Sequence, residues 1–256
     1  MKKLIFLISV MLFALSANAT TKSECESKDG DFIFNVGECL EYSSVGPTNS
    51  EEITVVIHGV WDKGTNTLGR YSVYASNLNF ITDVTTIAVA LPGYSNSTTN
   101  KFPALDNDKI ENLAAKKDYV EFVASLVQNL KDKYGAKKIN YIGHSAGAMI
   151  GATITGLYPD LIDNIVLAGG RYDIHEVSDA KDLISVVDVI EKIDDTKFLL
   201  IYGTEDEISK PKVTKEFYEL AKNRDLDVDI LEVKGAKHID LEMKDESVDA
   251  IADLLY

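Results

Sequence analysis

The chain has 256 residues, with 41 Asp and Glu against 26 Lys and Arg, a formal net charge of −15 at pH 7. A surface that acidic repels phosphodiester backbones and anionic lipid headgroups, which argues against nucleic-acid binders and proteins held to membranes by charge. With 45% apolar residues, the chain has enough material for one large domain with a substantial core.

A basic head, Lys2-Lys3, precedes an apolar run over residues 4–15 that only Ser9 interrupts. Ala17-Asn18-Ala19 supplies the small residues of a cleavage site, so residues 1–19 read as a secretory signal peptide. A membrane-spanning helix needs about 20 apolar residues, more than this run offers. Thr20, not a cysteine, follows the expected cut, which speaks against a lipid anchor. The expected product is secreted or periplasmic, with no membrane attachment once the signal is gone.

Residues 20–50 hold both cysteines, Cys25 and Cys39. In an exported chain an isolated pair of this kind is expected to form a disulfide, worth roughly 3 kcal/mol for a loop of about 15 residues in the chain-entropy model. A metal site is the weaker reading, because no histidine is near and two thiols alone make a poor zinc set. The stretch from Asp31 to Val36 and the residues around Cys39 read as a hairpin or leading strand pair. A linker-like patch, Val45-Gly46-Pro47-Thr48-Asn49-Ser50, ends the segment.

From residue 51 to 256 the pattern alternates. Short apolar, β-branched runs at residues 53–57, 86–91, 138–142, 164–168 and 198–202 end at glycine, proline or histidine, as strands buried on both faces do. A run at 227–233 alternates in polarity and reads as nearer an edge. Helical periodicity covers residues 117–134, 146–158, 212–223 and 247–256, with Pro211 at the start of the third. Residues 171–197 interrupt the rhythm and carry a helix-like stretch at 183–190, which predicts a crossover helix doubling as a short cap. Strand–helix alternation predicts an α/β fold, a mostly parallel central sheet with helices on both faces.

Gly143-His144-Ser145-Ala146-Gly147 lies between a predicted strand and a predicted helix. The glycines allow a tight turn that lifts the serine Oγ above the sheet, and the Ala146 N–H opens the helix facing a developing oxyanion. Ser145 is thus the candidate nucleophile. A base is required, and of the four histidines only His238 follows the last strand. His58 and His144 precede Ser145, and His175 lies in the crossover segment. The acid that orients the base is expected from Gly203-Thr204-Glu205-Asp206-Glu207, past the 198–202 strand. Asp206 leads, with Glu205 and Glu207 as alternatives. The second oxyanion donor is expected just after the first long strand, in His58-Gly59-Val60-Trp61, with the Val60 N–H first and that of Trp61 second. Trp61 and His144 are the candidate substrate-pocket residues, with plain packing as the other reading of Trp61.

Taken together, His58-Gly59, Leu91-Pro92-Gly93-Tyr94-Ser95, Gly143 to Gly147, Gly203 to Asp206 and Gly235 with His238 resemble the α/β-hydrolase superfamily over roughly residues 51–256. The order Ser145, Asp206, His238 is the order of that fold, unlike that of trypsin-like or subtilisin-like proteases. The loop after His58 lacks the His-Gly-Gly-Gly of hormone-sensitive-lipase-like esterases. A serine at the elbow differs from the aspartate of haloalkane dehalogenases and epoxide hydrolases. The resemblance implies a two-step acyl transfer on a small-molecule ester, with no metal or organic cofactor. The same residues would serve an amidase, peptidase or thioesterase, and a non-catalytic binding protein is the remaining alternative.

Overall fold

The computed structural model describes residues 20–255; the signal peptide expected over residues 1–19 lies outside them. β1 (Phe32–Asn35), β2 (Glu38–Val45), β3 (Glu52–Ile57), β4 (Thr85–Val89), β5 (Lys138–His144), β6 (Asn164–Ala168), β7 (Lys197–Gly203) and β8 (Val228–Val233) form one sheet, ordered β1-β2-β4-β3-β5-β6-β7-β8. The six strands from β4 to β8 in that order are parallel. β1 pairs antiparallel with β2, and β2 antiparallel with β4. The cysteine-bearing segment therefore extends the main sheet, and the Cys25–Cys39 disulfide ties α1 (Lys22–Glu26) to β2. Val36 and Gly37, both at positive φ, turn the β1–β2 hairpin.

The central strands are mostly apolar because both faces are covered: β4 and β6 are buried at every position. β8, at the edge, alternates between buried ends and more exposed middle residues, as its sequence pattern implies. α2 (Leu68–Thr82) and α6 (Asp245–Leu255) pack on each other, and α3 (Lys117–Tyr134) packs on α4 (Ala146–Leu157). α5 (Pro211–Lys222) lies over β7 and β8 and sets Phe217 against Tyr172, ring centroids 4.4 Å apart. Gly135, in the left-handed region at φ 69°, ends α3 with its N–H on the Asp132 and Lys131 carbonyls. α4 is buried from Ala146 through Gly156, so its small, apolar composition reflects cover on all sides.

Two elements depart from the sequence reading. Residues 183–190 form no crossover α-helix; two 3₁₀ turns, Val186–Asp188 and Ile190–Lys192, stand there. Ile184, Val186, Val187, Val189 and Ile190 are β-branched and disfavour helix. Ser185 and Asp188 cap a single turn on each other, and Ile184 N–H donates instead to the Ala115 carbonyl, 2.8 Å away. Conversely, α2 gives little periodic signal, because its buried side includes Tyr71, Tyr74 and Thr82, and Gly69 lies in its first turn.

Candidate active site

β5 delivers Ser145 to the carboxyl end of the sheet. The turn is tight enough that Ser145 takes φ 53° and ψ −114°, a conformation costing of order 1–3 kcal/mol that surrounding structure must hold. Its N–H donates to the Ala168 carbonyl of β6 at 2.8 Å. A Cβ on Gly143 would lie 2.6 Å from the Gly147 carbonyl, and one on Gly147 would run into the Ile57 carbonyl. Only glycine fits at either place, which is why the motif has this spacing.

His238 Nδ1 lies 2.8 Å from Asp206 Oδ2, and Nε2 lies 2.9 Å from Ser145 Oγ. A carboxylate only accepts, so Nδ1 donates and Nε2 is left to take the serine proton. The other Asp206 oxygen accepts the N–H groups of Ile208 and Ser209 at 2.9 and 2.8 Å. Asp206 is 3% exposed and His238 8%, whereas Glu205 and Glu207 are exposed. The two loops that carry acid and base are joined directly. Glu205 N–H donates to the Ala236 carbonyl at 2.9 Å, and Gly235 N–H to Thr204 Oγ1 at 2.8 Å. Gly169 lets this pair sit against the end of β6, since a Cβ there would be 3.2 Å from both Asp206 Oδ2 and His238 Nδ1.

The loop after β3 lies against the serine: a Cβ on Gly59 would be 2.7 Å from Ser145 Cβ. The N–H groups of Val60 and Ala146 have no acceptor within the described protein. A cavity of about 150 Å³ opens at this point, bounded by Ser145, Ala146 and His238. Asn112, Met149, Arg171, Ile174, Ile208 and Ser209 also line it. A larger hollow, about 800 Å³, lies far away between α1, β1 and α3, with neither serine nor histidine in its lining.

Two residues expected in the pocket lie elsewhere. His144 is buried behind the base, its Nε2 donating to the His238 carbonyl at 2.8 Å. Trp61 is held in its loop by Tyr94, whose hydroxyl donates to the Trp61 carbonyl at 2.8 Å, and by Arg70 over its ring. The pocket wall comes instead from Asn112 ahead of α3, from Met149 of α4 and from the loops after β6 and β7, and only Met149, one helical turn past Ser145, had a sequence signal.

Beneath the site, Tyr71 and Tyr74 of α2 donate to the Glu242 side chain (3.0 Å) and carbonyl (2.9 Å). Burial, then the Glu242 charge, hold the Tyr71 hydroxyl well above its ordinary pKa, so it stays a donor. This brace fixes the segment just past His238. His58, fully buried, is held at a pKa of about 4, chiefly by burial and further by His144, against the raising effect of its bond to Gly59. It is therefore neutral, with Nδ1 donating to the Gly59 carbonyl at 2.7 Å and Nε2 accepting from Leu91 N–H at 3.1 Å.

A parallel-sheet α/β domain with a serine raised on a strained strand-to-helix turn, backed by histidine and aspartate, defines a hydrolase-type site. Residues 55–198 match the family model of the alpha/beta hydrolase fold, and the chain belongs to that family. No curated protein matches the sequence. Among solved structures, an esterase of Pyrococcus furiosus aligns at 17% identity and TM-score 0.66, over 92% of this chain and 94% of its own. A predicted CIB-like hydrolase of Thermoplasma acidophilum gives 17% and 0.64, over 88% and 96%. The enol-lactonase of Burkholderia xenovorans gives 16% and 0.64, over 88% and 99%. At these identities the likeness is one of fold.

Proposed function

We propose that the chain is a serine hydrolase that cleaves small carboxylic esters through an acyl-enzyme on Ser145. The observation that carries this reading is the unbroken hydrogen-bonded line Asp206–His238–Ser145, ending at an open cavity. His238 takes the serine proton as Oγ attacks the ester carbonyl, and Asp206 steadies the imidazolium that results. The Val60 and Ala146 N–H groups receive the oxyanion, each donor worth ~2.7–4 kcal/mol of barrier. The alcohol leaves with the proton from His238, and water, activated by the same base, releases the acid. We further infer that the protein works after export, a reading with which the disulfide is compatible.

A fluorophosphonate should label Ser145, and Ser145→Ala should lose labelling and roughly 10⁶-fold in kcat. Labelling that survives the substitution would overturn the serine mechanism. p-Nitrophenyl esters should be hydrolysed faster than aminoacyl anilides, and the opposite order would move the protein to the amidases.

A further inference from the structure

The cavity at Ser145 has a charge pattern unlike the rest of the chain. Among the described residues no Asp or Glu lines it, although the chain carries 41, and Arg171 is the only Lys or Arg in its wall. Arg70 and Arg224 are each held by a carboxylate, from Asp240 and Glu191. Arg171 makes no ion pair or hydrogen bond with any described residue. Its root is nonetheless fixed. Ser209 Oγ donates to the carbonyl of Gly170 at 2.5 Å, and buried Tyr172 donates to the Leu167 carbonyl at 3.3 Å. Across the cavity the side-chain amide of Asn112 is likewise uncommitted, on a backbone at φ 53°. Met149, Ile174 and Ile208 give the wall an apolar side.

An unpaired guanidinium beside a small apolar cleft, in so acidic a chain, is a positive charge awaiting an anion from outside the protein. The planar fork of arginine matches a carboxylate bidentately. Arg171 and Ser145 line the same cleft of only about 150 Å³, which favours an anion a few carbons from the reacting carbonyl. Resting on the ester-hydrolase reading, we propose that Arg171 determines specificity by binding a free carboxylate of the substrate, making the substrates short esters that carry a second, ionised carboxyl group. Asn112 supplies a further donor to the same group. Met149, Ile174 and Ile208 cover the intervening carbons.

The test compares matched esters. p-Nitrophenyl hemiglutarate is set against p-nitrophenyl valerate, and 4-acetoxybutanoate against butyl acetate, so that the carboxylate sits on either side of the ester. In at least one pair the wild-type protein should favour the anionic member in kcat/KM. Arg171→Gln should lower that ratio by roughly ten- to a hundredfold, the usual worth of a hydrogen-bonded charge, and Arg171→Lys should restore part of it. No anionic preference in either pair, or a ratio that Arg171→Gln leaves unchanged, overturns the proposal. Binding supplies the arm independent of turnover. By calorimetry, Ser145→Ala should bind monomethyl glutarate about tenfold more tightly than Ser145→Ala/Arg171→Gln, and equal affinity or no binding overturns the proposal. Failure of the hydrolase reading shows separately, as a Ser145 that no fluorophosphonate labels.

Discussion

Asp206 gives one carboxylate oxygen to His238 and the other to two main-chain amides. A group held on both sides orients its neighbour more firmly than one free to turn in water, and this separates Asp206 from Glu205 and Glu207. Asp206→Asn keeps the shape but not the acceptor pattern, so kcat should fall by about 10⁴-fold, as the imidazole loses its correct tautomer. Glu205→Gln and Glu207→Gln should stay within a few-fold in the same esterase assay, and the reverse ranking would move the acid. At this scale the serine, histidine and aspartate were legible from motif and chain order. Arg171, Asn112 and Ile208 were not, because nothing near them in the chain marks them as facing Ser145.

The element that positions Ser145 is α4, and its glycines set how closely it lies on β5. A Cβ on Gly151 would strike the Tyr141 ring. Tyr141 cannot easily yield, being fully buried with its hydroxyl donating to the Gly147 carbonyl at 2.8 Å. Gly151→Ala should therefore push α4 outward, lowering stability by about 1–3 kcal/mol in urea unfolding and slowing the ester reaction by shifting Ser145. Unchanged stability with unchanged rate would show that the interface has slack. The strands were readable because continuous apolar runs follow from burial on both faces. α2 was not, because tyrosines that bury their rings while donating to Glu242 do not score as an apolar stripe. The stretch over residues 183–190 misled in the other direction: its apolar residues pack on α4, but their β-branched side chains and the Ser185–Asp188 cap favour single turns over a helix.

For the molecule as a whole, His58 ties pH to stability. It joins the loops that follow β3 and β4 and must be neutral to accept from Leu91 N–H. With a folded pKa of about 4 against the ordinary 6.5 of an imidazole in water, the unfolded chain binds the extra proton between those values. Stability is therefore full above about pH 6.5, falls as pH drops toward 4 by about 3 kcal/mol, and gains no further loss from this group below that. His175, exposed and raised by its bond to Asp188, acts in the opposite sense but is screened by water. Urea midpoints taken at pH 7.5 and 4.5 should converge for His58→Asn relative to wild type. An equal pH dependence in both proteins would assign the acid limb to other groups.

The sequence by itself determined the strand–helix alternation, the elbow at Ser145 and the chain order of Ser145, Asp206 and His238. These depend on local backbone rules: periodicity, turn glycines and the ends of strands. Only the tertiary structure decided that the N-terminal hairpin continues the main sheet, that His144 and Trp61 stand outside the cavity, and that an unpaired arginine stands inside it. Those facts depend on which loops the sheet order brings to one edge, and residues 112, 145, 171, 208 and 238 meet there through packing across the whole domain.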